Sequence, residues 1–304
     1  MRLYSPYRSK IFLTSKVYVS IFFAFLVTLL VLALPLQAQT DDAASRVLSI
    51  GGSITETVYA LGQGHRLVAR DSTSTYPSDA EELPDVGYMR ALSPEAVLSV
   101  DPQLILAEDG AGPPETLAVL QESRIPIVKV PDDYSAQGVV EKIRAVGHAL
   151  GVPEDAERLA EKIANQLTKA EDRATSRSKE SGPKRVLFVL SMQSGRVMAS
   201  GRDTAADRMI SLAGGQNAVI GFSGYKQMSD EAVTAAAPDV ILMMDRGGNH
   251  GISDDELFAL PALTTTPAAQ SLSIVRMNGL LLLGFGPRTP QAISELSSAL
   301  YGEN

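Results

Sequence analysis

Leu92-Ser-Pro-Glu-Ala-Val-Leu-Ser-Val-Asp-Pro-Gln-Leu-Ile-Leu106 recurs as Met228-Ser-Asp-Glu-Ala-Val-Thr-Ala-Ala-Ala-Pro-Asp-Val-Ile-Leu242, an offset of 136 residues. Each copy opens with a serine able to cap a helix and an acid in the first turn, then passes a proline into an apolar run with the look of a buried strand. Serine-x-glutamate helix starts are common in βα units. A match over fifteen positions is nonetheless more specific than any short motif. Two weaker echoes support it: Arg185-Val-Leu repeats Arg46-Val-Leu, and Gly201-Arg-Asp-Thr repeats Gly52-Ser-Ile-Thr. The chain therefore reads as one α/β design used twice.

Working outward, strands are expected near residues 46–50, 66–70, 103–107 and 125–130, with helices after most of them. Ser53 or Thr55 is the expected cap of the first helix, with Glu56 in its first turn. Alternation with short loops predicts a parallel sheet covered by helices. Residues 155–178 differ. They are charged, free of Gly and Pro, and carry Leu159, Ile163 and Leu167 at helical spacing. A helix of about 24 residues would be roughly 36 Å long. The expected plan is α/β, two Rossmann-like lobes joined by a single long backbone helix: residues 39–153 form the N-terminal lobe, 154–182 the linking helix and 183–304 the C-terminal lobe.

The first segment stands apart. Arg2, Arg8, Lys10 and Lys16 accompany a mostly apolar run, and Leu36-Gln-Ala38 offers a small-residue cleavage site. Residues 1–38 read as an export signal, with a retained membrane anchor as the alternative. The net charge is −8, and removing those four cations leaves −12. That acidity argues against a nucleic-acid partner. There is no cysteine, hence no disulfide, thiolate metal site or lipidated cysteine. A soluble periplasmic protein, stable through core burial alone, fits best.

In parallel α/β sheets, ligands bind outside the carboxyl ends of the strands. Two facing lobes would make a cleft from those loops. Their catalytic inventory is poor: no HExxH, no P-loop and no nucleophile elbow. An exported α/β hydrolase using Ser53 or Ser191 lacks a credible base. His65 is expected in an exposed turn and His148 at a helix end. His250 lies in a glycine-rich loop that could face the cleft. Tyr76, Tyr88, Tyr134 and Tyr225 all fall on expected loops, three of them at the cleft.

Leu83-Pro-Asp-Val-Gly-Tyr88-Met-Arg90-Ala-Leu-Ser-Pro-Glu95 places a loop phenol two residues from a guanidinium. Such a pair is either a hydrogen-bonded turn or an iron site, because a nearby cation favours the phenolate that iron(III) needs. This stretch, with Ser49-Ile-Gly-Gly-Ser-Ile-Thr-Glu56, Asp71-Ser-Thr-Ser-Thr-Tyr-Pro77, Glu108-Asp-Gly-Ala-Gly-Pro-Pro114 and Gly284-Phe-Gly-Pro-Arg-Thr-Pro290, resembles the periplasmic haem-binding proteins of bacterial haem ABC transporters. The resemblance covers essentially the whole chain after the signal and includes the helix-linked two-lobe plan.

It implies a periplasmic carrier of haem b, with Tyr88 as axial iron ligand and Arg90 as its hydrogen-bond partner or a propionate contact. Arg246 is the candidate second-lobe arginine turned toward the tyrosine. Arg202 and Tyr225 are further candidate haem contacts, and Arg288 is expected to be structural. No histidine occurs in residues 191–204, where some relatives place a second-lobe ligand. Glu95 and Glu231, one per lobe, are implied as docking points for an inner-membrane ABC permease with its ATPase. The expected state is a monomer and not an enzyme. The alternative cargo is cobalamin, another tetrapyrrole, or an iron-siderophore.

Overall fold

The structure is a computed structural model and describes residues 1–2, 44–193, 196–245 and 252–302. The expected export signal, Arg246 and His250 lie outside the described residues. Contacts gather the chain into two units, Met1–Ala43 and Ala44–Asn304, and both sheets belong to the second.

The first lobe runs β1 (Val47–Ile50), α1 (Gly52–Ala60), β2 (Leu67–Arg70), α2 (Ser78–Glu81), α3 (Pro94–Ser99), β3 (Leu104–Glu108), α4 (Pro114–Glu122), β4 (Ile127–Val130) and α5 (Ala136–Ala149). Its four strands lie in the order β2-β1-β3-β4, all parallel. Val47, Leu48, Ser49 and Ile50 are all buried, as a strand covered on both faces requires.

The long helix α6 (Pro153–Ser181) has 29 residues and so spans about 44 Å. It starts one residue before the expected span of 154–182, because Pro153 serves as its first residue, and ends one residue before that span does. Ala156, Ala160, Ile163, Leu167, Ala170 and Ala174 form its buried stripe. The alanines let it pack closely on α5, where a Cβ on Gly147 would come within 2.1 Å of Ala156 Cβ.

The second lobe continues with β5 (Arg185–Gln193), β6 (Arg196–Ser200), α7 (Ala205–Leu212), β7 (Gln216–Asn217), β8 (Tyr225–Gln227), α8 (Asp230–Ala236), β9 (Val240–Asp245), α9 (Asp254–Phe258), α10 (Pro267–Gln270), β10 (Ile274–Asn278), α11 (Gly279–Leu283) and α12 (Thr289–Tyr301). Its sheet order is β10-β9-β5-β6-β8, with β7 beside β5. This sheet is mixed, which corrects the expectation of a second parallel sheet. Residues 191–204 carry the end of β5 and all of β6, which pair antiparallel, and Tyr225, read as loop, pairs with Ser200 in the β6–β8 ladder. Val197 and Ala199 alternate into the core, a period-two signal too short to stand out in the sequence.

The first helix start is a second correction. Gly51, at φ 116°, precedes α1, and no side chain caps it. Thr55 Oγ1 bonds instead to Ser49 Oγ at 2.6 Å and Ser74 Oγ at 2.7 Å. Glu56 lies beyond the first turn, buried against Arg288. The serine caps of the long repeat hold in both copies: Ser93 accepts from Ala96 N–H at 3.1 Å, and Ser229 from Ala232 N–H at 3.3 Å. One hydrophobic core runs from Val47 and Ile54 past Ile163 and Leu167 of α6 to Val186, Phe188 and Leu296, so the lobes share buried contacts.

Candidate functional site

Loops at the carboxyl ends of the strands of both lobes line a cleft of about 880 Å³. That size suits a small-molecule ligand. Tyr88, Met89 and Arg90 form part of the first-lobe wall. The backbone fixes their loop: Val86 N–H donates to Arg70 O at 3.0 Å, Ser72 N–H to Gly87 O at 3.0 Å and Gly112 N–H to Met89 O at 2.8 Å. Arg70 adds an ion pair to Asp85 at 2.9 Å. Buried Val86 and Met89 anchor the loop, while Tyr88 between them is 47% exposed. Gly87 takes φ 100°, a backbone shape that suits glycine. Among the described residues, the side chains of Tyr88 and Arg90 make no hydrogen bond or ion pair. A phenol and a guanidinium thus reach the cleft without a hydrogen bond or ion pair from the described residues.

Three of the four loop tyrosines line the cleft: Tyr88, Tyr134 and Tyr225. Tyr76 does not, because its ring lies 3.5 Å beneath the guanidinium of Arg288. Burial pushes the Tyr134 phenol well up, and the Asp132 carboxylate that accepts its hydrogen bond adds to this. Burial also raises Tyr225, against a hydrogen bond with Thr204 and the charge of Arg90. The charge of Arg90 acts on both phenols, lowering each against the effect of burial.

The floor is polar and partly buried. Lys142 of α5 is completely buried, and its Nζ donates to Glu108 Oε1 at 2.8 Å, Ser53 Oγ at 2.9 Å and Asp132 Oδ1 at 3.1 Å. Asp71, also buried, accepts from Gly51 N–H, Thr73 N–H, Thr73 Oγ and Ser74 Oγ, which shapes the two neighbouring loops. Sequence reasoning missed both groups. For Lys142 a signal existed: it lies on the face of α5 that carries Val139 and Val146, where a surface lysine does not belong. At the far side, Leu190, Met244, Leu280 and Leu283 supply apolar wall.

Arg202 is exposed and stands outside this lining, which in its turn is made by Asp203, Thr204 and Ala205. Arg288 is structural, as expected: its Nε bonds Glu56 Oε2 at 2.9 Å, and its backbone N–H bonds Oε1 at 2.8 Å. His65 and His148 are exposed, away from the cleft. Glu95 and Glu231 are exposed at the second position of α3 and α8. The carboxyl of Glu231 is held below its usual range by its own backbone N–H and by Ser229.

The periplasmic binding protein family model matches residues 47–279. Vitamin B12-binding protein of Yersinia pseudotuberculosis is 31% identical over 238 residues, covering 78% of this chain and 81% of its own. Among solved structures, the periplasmic heme-binding protein RhuT from Roseiflexus sp. RS-1 superposes with a TM-score of 0.80 at 40% identity, covering 84% of this chain and 97% of its own. The periplasmic heme-binding protein BhuT, in complex with two hemes, gives 0.81 at 39% identity with the same coverage. With its two α/β lobes, long connecting helix and interlobe cleft, this chain belongs to the periplasmic binding protein family, as a ligand-binding component of transport and not an enzyme.

Proposed function

We propose that this protein is a periplasmic haem carrier. It takes up haem between its lobes, with the phenolate of Tyr88 as axial ligand of ferric iron, and delivers it to an inner-membrane ABC permease with its ATPase. The observation that carries this reading is the pair Tyr88 and Arg90, displayed in the cleft on a backbone-pinned loop with no hydrogen bond or ion pair to their side chains among the described residues. Arg90 supplies a cation for the phenolate or for an acidic edge of the ligand. Tyr134 and Tyr225 offer faces for a planar macrocycle, and Leu190, Met244, Leu280 and Leu283 an apolar slot. Arg246 would be the second-lobe arginine turned toward Tyr88, and Arg202 a contact for a propionate. Residues 1–38 would direct export, and the carrier would act as a monomer. The two solved relatives that bind haem are nearer in sequence than the vitamin B12-binding relative.

Cobalamin is the second reading, favoured by that relative. Parallel titrations with haemin and cyanocobalamin separate the two. Saturable haemin binding without cobalamin binding is expected, and the reverse would move cobalamin to the front.

Glu95 and Glu231 would dock each lobe on the permease, since the repeat places them equivalently on capped helices. Charge reversal at both should leave haemin affinity intact and cut uptake by cells about tenfold or more, the scale expected when paired interfacial charges are lost. Normal uptake would remove the docking role.

A further inference from the structure

We infer that Lys142 is a positioning residue of the ligand cleft, a buried ammonium that locks the first-lobe wall to the segment leaving the second sheet. The proposal rests on the haem reading for its ligand, though not for its geometry.

Lys142 itself does not line the cleft, yet each of its four acceptors does: Ser53 at the start of α1, Glu108 at the end of β3, Asp132 beyond β4 and the carbonyl of Gly284 beyond α11. The Gly284 contact, at 3.4 Å, is the one that crosses between lobes. An ammonium has three N–H donors for these four acceptors, so they share it, and the long Gly284 contact is the weakest of them. Ser53 Oγ also donates to Glu108 Oε1, and Asp132 acts on the neighbouring Tyr134 phenol. The Tyr134 ring then packs on Phe285, next to Gly284, at 5.3 Å between centroids. Polar and aromatic contacts thus close a circuit from α5 through the floor to the crossing segment and back.

A buried lysine with two carboxylates is a poor means of gaining stability, because desolvation offsets the attraction. Among the described residues, Lys142 is the only lysine in the buried set. What its charge provides is a single geometry for groups that would otherwise repel. Without it, Glu108 and Asp132 would push apart and release Tyr134 and Gly284, two elements of the wall on which a rigid planar ligand must fit.

Lys142→Met leaves two carboxylates facing each other and could unfold the protein. Lys142→Met with Glu108→Gln avoids this, because the net charge of the cluster stays the same while the four bonds are lost. Well below its melting temperature, this double variant should bind haemin about tenfold or more weakly, the usual order for lost preorganisation. It should also change the circular dichroism of the bound haem's Soret band, which reports orientation. Glu108→Gln alone, which keeps the ammonium and its bonds to Ser53, Asp132 and Gly284, should lose clearly less of both than the double variant. An unchanged affinity and dichroism in the double variant would overturn the proposal. So would Glu108→Gln alone reproducing the whole loss, since the effect would then belong to Glu108 at the ligand.

Hydrogen exchange on ligand-free protein decides the geometry independently. The amides of Gly284 and Asp109, bonded to Leu280 O and Val130 O, should exchange about tenfold faster in the double variant, as local opening becomes easier. Unchanged exchange contradicts the lock. If the unaltered protein fails to bind haemin, the haem reading falls and the exchange result alone judges Lys142.

Discussion

The two walls of the cleft come from one repeated sequence design but are held in different ways. The first-lobe wall is organised by charge: Lys142 binds the ends of α1, β3 and β4, and Arg70–Asp85 braces the Tyr88 loop. The second-lobe wall is organised by a neutral amide. Asn217 Nδ2 donates to Ser200 O at 3.4 Å, Gly201 O at 3.2 Å and Asp207 Oδ1 at 2.9 Å, and its Oδ1 accepts from Val219 N–H at 2.9 Å. Thr204 completes that turn by capping α7. A repeat in sequence therefore conserves the scaffold of helix starts and strands, while the groups that shape each wall are free to differ. The wall with the charged centre is also the one that presents the Tyr88 phenol and the Arg90 guanidinium.

This contrast can be broken on either side. Lys142→Met should be the more damaging, costing roughly 3–5 kcal/mol, because it strands two partly buried carboxylates. Urea unfolding measures it, and a loss under about 1 kcal/mol would mean that the floor relaxes and carries no special order. On the other wall, Asn217→Ala should cost about 1–3 kcal/mol, the penalty for unsatisfied carbonyls and an amide without charge. If the two losses prove equal, the distinction between a charged and a neutral centre has no energetic weight.

Much of the scaffold was legible in the sequence. The long repeat predicted both serine caps and the strands that follow, since those depend on local chemistry at fixed spacing. The α6 stripe announced itself through its period, although its start was placed one residue late because Pro153 reads as a breaker and acts as a first residue. The Val-Gly-Tyr-x-Arg element marked the loop that reaches the cleft. What stayed hidden depended on contacts far apart in the chain. Ser53 looked like a helix cap and is instead held by Lys142, 89 residues away. Tyr225 looked like a loop residue because a three-residue edge strand has too little pattern to recognise. Arg202, chosen for its charge, lies one residue before the wall because the turn directs Asp203 and Thr204 inward.

The central claim is that Tyr88 holds haem iron. The most direct measurement is a haemin titration followed by absorption, with unaltered protein beside Tyr88→Phe. The account predicts a saturable ferric spectrum with a tyrosinate charge-transfer band, and an equivalence point that counts the haems bound. In Tyr88→Phe the band should vanish and affinity should fall by about a hundredfold or more, as for loss of an axial ligand at a binding hot spot, while the melting temperature holds. The same band and affinity in the variant would contradict the account and place the iron on another residue.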